Sequence, residues 1–162
     1  MAKKKINLSE YKSSDIPSAK GMKIGIVVSE WNPEITESLF DGAYRTLIAN
    51  GCNPKNILRI NVPGSFELPA GAQHLAETRN PDVIICLGCV IQGETRHFDF
   101  ICDAVANGLI NLSIKYKRAF IFGVLTPNNM EQARARAGGN HGNKGVEAAV
   151  TAIKMVALRK KL

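Results

Sequence analysis

Four short runs rich in β-branched and other apolar residues, each trailed by a stretch with helical spacing, constrain this chain more than any other feature. KIGIVVS at 23–29 and ILRINV at 57–62 read as strands, as do VIICLG at 83–88 and AFIFGVL at 119–125. Between them, ESLFDGAYRTLIAN at 37–50 repeats apolar residues near helical spacing through Leu39, Tyr44, Leu47 and Ile48, and Gly51 closes it. FELPAGAQHLAETR at 66–79 reads as a second helix, and Phe98, Ile101, Val105, Leu109 and Leu112 mark one face of a third at 97–115. Asn128 and Glu131 are placed as a capping box before EQARARA, a Gly-rich break follows, and a last helix runs over 144–160. Strands that alternate with helices pair in parallel, and a parallel sheet needs cover on both faces. The expectation is one domain, a three-layer α/β/α sandwich around a four-stranded parallel sheet, with ligands bound beyond the C-terminal strand ends.

At 162 residues the chain suits one domain, assigned to 21–162, while residues 1–20 mix Lys, Ser and Asp without periodicity and read as a loose N-terminal arm. Its apolar content of 45% and charged content of 22% are those of a globular protein. The net charge of +7 is concentrated at the ends: without Lys3, Lys4, Lys5, Arg159, Lys160 and Lys161 the body carries +1. That pattern argues for solvated tails and against nucleic-acid binding. The N-terminus lacks the apolar stretch of a secretory signal and no apolar run is long enough to span a bilayer, so a cytoplasmic location without membrane attachment is expected. Of Cys52, Cys86, Cys89 and Cys102, the middle two form a C-x-x-C. It ends an apolar strand rather than opening a helix and has no second ligand pair, so packing thiols are expected, with neither a redox centre nor a metal.

The segments after the four strands should line one rim: Trp31 and Asn32, PGSFELP at 63–69, GETRH at 93–97, and LTPNN at 125–129. Turns of this composition are common without function, and only their joint chemistry points further. Gly93 would allow a tight turn that aims the amides of Glu94 and Thr95 outwards at a helix N-terminus, a place suited to phosphate or carboxylate. His97 follows directly, either a proton carrier for a ligand there or a capping histidine. His74 and His141 have no such surroundings. Trp31, the only tryptophan, offers a shelf for a flat heterocycle with Asn32 reading its polar edges, or else packs. Arg134, Arg136 and Lys144 bring cations to GGNHGNKG at 138–145, either for phosphate or in response to a helix C-terminus. That loop does not fit the nucleotide P-loop pattern.

Taken together, WN at 31–32, PGSFELP, LGCVIQGETRHFDF at 87–100, GVLT at 123–126, EQARARAG at 131–138 and NKGVEAA at 143–149 resemble the lumazine synthase family in order and spacing, over residues 23 to 158. The resemblance implies a flavodoxin-like fold and a transferase of riboflavin biosynthesis that uses no cofactor. Its reaction would condense 5-amino-6-(D-ribitylamino)uracil with 3,4-dihydroxy-2-butanone 4-phosphate to 6,7-dimethyl-8-ribityllumazine, phosphate and water. By that pattern Trp31 stacks on the pyrimidine, Asn32 and Glu67 meet ribityl or ring groups, Gly64 and Ser65 lie near the ribityl chain, and backbone at Cys89, Val90 and Ile91 holds the ring. Glu94 and Thr95 bind phosphate with Arg136, His97 moves protons, and Phe122, Arg136 and Lys144 arrive from a neighbouring subunit. A homo-oligomer is implied, a pentamer or an icosahedral capsid of sixty subunits, with riboflavin synthase as a candidate partner. The linker from Arg136 to Lys144 carries no insertion, which favours the capsid. Two positions depart from the pattern: Trp31 stands for a more usual Phe and Ser65 for a more usual Ala. The rival readings are a non-catalytic flavin- or lumazine-binding module and a shell-forming protein on the same fold.

Overall fold

A computed structural model describes residues 9–162. Four parallel strands form the sheet in the order β2-β1-β3-β4: β1 is Ile24–Ser29, β2 Ile57–Val62, β3 Val83–Cys89 and β4 Phe120–Leu125. Ile24 of the central β1 pairs with Ile57 on one side and Val83 on the other, which puts all strands in step. The helices are α1 (Pro33–Ala49), α2 (Leu68–Arg79), α3 (His97–Tyr116), α4 (Met130–Arg136) and α5 (Lys144–Lys161). The expected three-layer α/β/α domain is present, and no helix among the described residues is long and apolar enough to cross a membrane.

Strand alternation divides the apolar runs between the two layers. Ile24, Ile26 and Val28 of β1, with Ile85 and Leu87 of β3, face a core closed by α1 and α5. Val27, Ile84 and Cys86 face the opposite core under α2 and α3. Both sides of β1 and β3 are buried throughout, so the sequence shows unbroken apolar runs where a half-exposed sheet would show alternation. Burying one such Ile or Leu side chain contributes about 1.5–3 kcal/mol, which makes this pair of strands the main source of cohesion.

Several boundaries differ from the sequence reading. α1 begins at Pro33, four residues before the expected start, because Asn32 takes a left-handed conformation and proline is preset for the first helical turn. α4 is capped one residue later than expected: the Asn129 side chain accepts from the Gln132 amide at 2.9 Å, and the Gln132 side chain accepts in return from the Asn128 amide. The Gly-rich break is a small antiparallel hairpin, β5 (Ala137–Gly139) with β6 (Gly142–Asn143), in which Gly138 and Gly142 have φ of 110° and 87°. Of the expected loose arm, residues 1–8 lie outside the described residues. Residues 9–20 lie against the domain, where Ala19 is fully buried, its amide donates to the Asn50 carbonyl at 2.8 Å, and Ser9 Oγ donates to the Asn143 carbonyl at 2.9 Å.

α1 and α5 meet at Gly145. A β-carbon there would fall 1.8 Å from the carbonyl oxygen of Leu39, so any side chain forces the helices apart. Asn143 secures the same joint, accepting from the amides of Gly145 and Val146 and donating to the Ser38 carbonyl. Beyond it Ala148, Ala149 and Ala152 keep the contact close. Gly145→Ala is therefore expected to destabilise by about 1–3 kcal/mol, read as a lower guanidinium midpoint at fixed protein concentration. Gly93→Ala, where an added β-carbon meets nothing within 4 Å, should stay within about 0.5 kcal/mol of wild type. Equal midpoints for both variants would show that the helices do not touch at Gly145.

Candidate functional site

The C-terminal strand ends open into a cavity of about 790 Å³. Three of the four expected rim segments line it. After β1 the chain is zipped to the end of β2, with the Glu30 amide on the Val62 carbonyl at 2.9 Å and the Trp31 amide on the Pro63 carbonyl at 3.3 Å. The Trp31 side chain stands 72% exposed over the opening and is not a packing residue of this chain. Asn32, left-handed at φ 57°, donates its side-chain amide to the Cys89 carbonyl at 3.0 Å and ties β1 to the end of β3.

The second segment is shaped by Gly64. A β-carbon there would come within 3.1 Å of Glu67 Oε2 and 3.7 Å of Trp31 Cδ1. The bare glycine lets the indole edge and the carboxylate share this corner, and Glu67 Oε2 accepts from the Gly64 amide at 3.0 Å. Glu67 is thus partly committed to holding its own turn. Ser65 is buried, and its hydroxyl and that of Ser29 have no hydrogen-bond partner among the described residues. Both converge on Gly88, where a β-carbon would meet Ser65 Oγ at 2.6 Å and Ser29 Oγ at 3.3 Å.

The third segment continues β3. The Val90 amide donates to the Leu125 carbonyl at 2.8 Å and the Gln92 amide to the Pro127 carbonyl at 3.0 Å. Successive peptide groups of an extended chain point to opposite edges, so the Ile91 amide faces away from β4, towards the cavity that Val90 and Ile91 line. His97, the first residue of α3, is exposed on the cavity wall, and its amide donates to Thr95 Oγ1 at 3.4 Å. Glu94 and Thr95 precede it as exposed loop residues outside the cavity lining. Gly93 departs from expectation: it lacks a left-handed φ and has open space around it, so no tight turn requires a glycine there.

The sequence reading missed Phe66 and Phe100, which are 56% and 66% exposed and give the cavity an apolar wall. Phe66 was visible inside PGSFELP, and Phe100 lies on the first turns of α3, where the expected apolar stripe is only half-buried at Phe98 and Ile101. These turns border the cavity. Helical spacing reports a face but not what covers it.

The fourth segment does not join the rim. LTPNN runs beside the third through the two backbone bonds above, and Asn129 lines a separate cavity of about 550 Å³ with Arg136, Asn140 and His141. Phe122 is exposed on the edge strand β4, away from the main cavity. Arg134 is turned to Glu34 of α1 at 2.7 Å and holds that carboxyl below the usual range. Arg136 and Lys144 both sit on Glu147, outside the cavity lined by Trp31 and His97. One chain therefore brings together Trp31, Asn32, Gly64, Ser65, Glu67, Cys89, Val90, Ile91 and His97, and leaves Phe122, Arg136 and Lys144 elsewhere.

The 6,7-dimethyl-8-ribityllumazine synthase family profile matches residues 21–160. Proteins named 6,7-dimethyl-8-ribityllumazine synthase are similar along nearly the whole chain. That of Cytophaga hutchinsonii is 58% identical over 151 residues, covering 93% of this chain and 94% of its own. Those of Parabacteroides distasonis and Christiangramia forsetii are each 55% identical, over 150 residues (93% and 94% covered) and 161 residues (99% and 96%).

The C-x-x-C thiols belong to the packing of β3. Burial pushes the Cys86 thiol far up and that of Cys89 up to about 11. At pH 8 the Cys89 thiolate fraction is then on the order of one in a thousand. Native protein treated with iodoacetamide should show Cys102 alkylated first by mass spectrometry, with Cys86 and Cys89 modified only after unfolding. Rapid native modification of Cys89 would contradict this placement.

Proposed function

The chain belongs to the 6,7-dimethyl-8-ribityllumazine synthase family of enzymes, and from that premise we propose that it condenses 5-amino-6-(D-ribitylamino)uracil with 3,4-dihydroxy-2-butanone 4-phosphate. The products are 6,7-dimethyl-8-ribityllumazine, phosphate and water, the penultimate step of riboflavin biosynthesis. The observation that carries this reading is the meeting of an exposed indole, an exposed imidazole and the β3 backbone in one cavity.

The pyrimidine lies on Trp31, with its edge against the backbone of Cys89, Val90 and Ile91, and the exposed Phe66 and Phe100 exclude water from the opposite side. The ribityl chain runs towards Asn32, Gly64, Ser65 and Glu67, where the unpartnered Ser65 hydroxyl gains a polar neighbour. The butanone phosphate takes the exposed amides of Glu94 and Thr95 at the start of α3, and its charge is met by Arg136 with Lys144. These cations and Phe122 come from a neighbouring subunit, so the working unit is a homo-oligomer, a pentamer or sixty subunits built from pentamers. A cytoplasmic site and riboflavin synthase as partner complete the proposal.

Amine addition to a ketone is intrinsically feasible, and holding both partners in register supplies up to about 7–11 kcal/mol in favourable cases. His97 takes and returns protons during imine formation, phosphate loss and ring closure, a role suited to an imidazole near neutral pH. Neither a metal nor a redox cofactor is needed for these steps.

Mixing both substrates with the protein and following the fluorescent lumazine above the spontaneous rate tests the reading directly, and binding without product would favour a non-catalytic module. His97→Ala is expected to slow turnover by up to about 10²–10⁴-fold with assembly intact by light scattering, and unchanged turnover would remove His97 from the mechanism. Arg136→Ala should raise KM for the phosphate substrate well beyond that for the pyrimidine, since only the former carries the charge Arg clamps. Equal increases would contradict this role.

A further inference from the structure

Arg136 closes α4 and Lys144 opens α5, yet both cations end on one carboxylate. Glu147 Oε1 lies 2.9 Å from Arg136 Nη2, and Oε2 lies 3.3 Å from Lys144 Nζ. The three side chains are 22%, 29% and 19% exposed for Arg136, Lys144 and Glu147, so solvent screens them only in part. The Arg136 contact lacks hydrogen-bond alignment, leaving Oε1 without a donor among the described residues. Arg136 Nη1 donates separately to the His141 carbonyl at 2.7 Å. The guanidinium is thus fixed from two sides without being saturated, and N–H groups remain for an anion.

A carboxylate beside a phosphate clamp opposes the anion it serves. We infer that Glu147 is the positioning residue of that clamp: it fixes the spacing of Arg136 and Lys144 and reduces their joint charge from two to one, so that phosphate is held firmly enough to orient yet leaves after each turnover. This rests on the reading that Arg136 and Lys144 meet the phosphate. The two functions of Glu147 pull affinity in opposite directions, and the geometry decides between them. The His141 carbonyl continues to hold Arg136 when the charge is removed, and a glutamine oxygen at 147 still accepts from Lys144. Positioning then survives in large part, while the repulsion is lost entirely. One negative charge removed from beside a bound anion at a partly screened site is worth roughly three- to tenfold in affinity.

The test is calorimetric titration of inorganic phosphate into the assembled protein, with turnover measured in parallel. Wild type should bind through Arg136, shown by weakening in R136A. E147Q should bind phosphate about three- to tenfold more tightly, with a steeper salt dependence and a lower kcat at saturating substrates. E147D, which keeps the charge, should restore both values towards wild type. If E147Q fails to assemble, the double variant K144M/E147Q, whose net clamp charge is again one, carries the test: phosphate affinity near wild type supports the inference, and a loss beyond tenfold overturns it. Phosphate binding through Arg136 that E147Q leaves equal or weaker, with circular dichroism unchanged, overturns this inference alone. A wild type that binds no phosphate, with R136A indistinguishable from it, overturns the functional reading and this inference with it.

Discussion

The parallel pairing of β1 with both β2 and β3 is the constraint from which the rest follows. Parallel neighbours need a crossover, and each crossover here is a helix that must return across one face of the sheet. All strands then point the same way and deliver their following loops to a single edge. Trp31, Gly64 and Val90 are separated by tens of residues in the chain, yet in-step registration of β1, β2 and β3 brings them around one opening. The site needs no dedicated scaffold, because the sheet that fills the core also sets the spacing of the residues at its rim.

Two glycines adjust that scaffold where side chains would intrude. At Gly64 the missing β-carbon leaves room for the indole edge of Trp31 beside the Glu67 carboxylate, so the shelf can lie low against its turn. At Gly145 it lets α5 descend onto the Leu39 carbonyl of α1. That descent matters for chemistry as well as packing. Lys144 and Glu147 lie on the first turn of α5, and Arg136, at the end of α4, rests on Glu147, so the capping of α5 by Asn143 and its seating on α1 help fix where the cations stand. Stability and charge placement are coupled through one close contact.

Much of this was legible in the sequence. The four strands fell within a residue of their observed limits: in β1 and β3 burial on both faces leaves unbroken β-branched runs, and the edge strands β2 and β4 keep enough apolar residues between turn signals to stand out. The start of α1 was obscured by Trp31-Asn32-Pro33, which reads as a turn and is in fact a cap followed by a first helical turn. The β5–β6 hairpin was hidden because its glycines carry no period-two signal. At the site, His97 and Trp31 stood out by chemistry and position. Phe66 and Phe100 did not, since an apolar residue on a helix or turn looks the same whether it faces a core or an opening. Glu147 was silent for another reason: a lone acid in an Ala-rich helix gains meaning only when two cations from either side of a hairpin are found resting on it.

The separation of charges completes the physical picture. The cavity around Trp31 and His97 is lined by aromatic, aliphatic and neutral polar residues together with Glu67, and among the described residues no Lys or Arg lines it. A doubly ionised phosphate brought there would meet backbone amides and a helix end, which offset only part of its desolvation. Arg136 and Lys144 lie outside that lining, already half-neutralised by Glu147. A cavity lined by no Lys or Arg among the described residues and a cation pair set outside it are complementary surfaces on one molecule. On the proposed function each copy presents its pair to the next copy's opening, a heterologous contact that closes into a ring when the rotation does. On that proposal the phosphate-bearing substrate supplies part of the electrostatic reason for the ring, because it draws its cationic partners from a second chain.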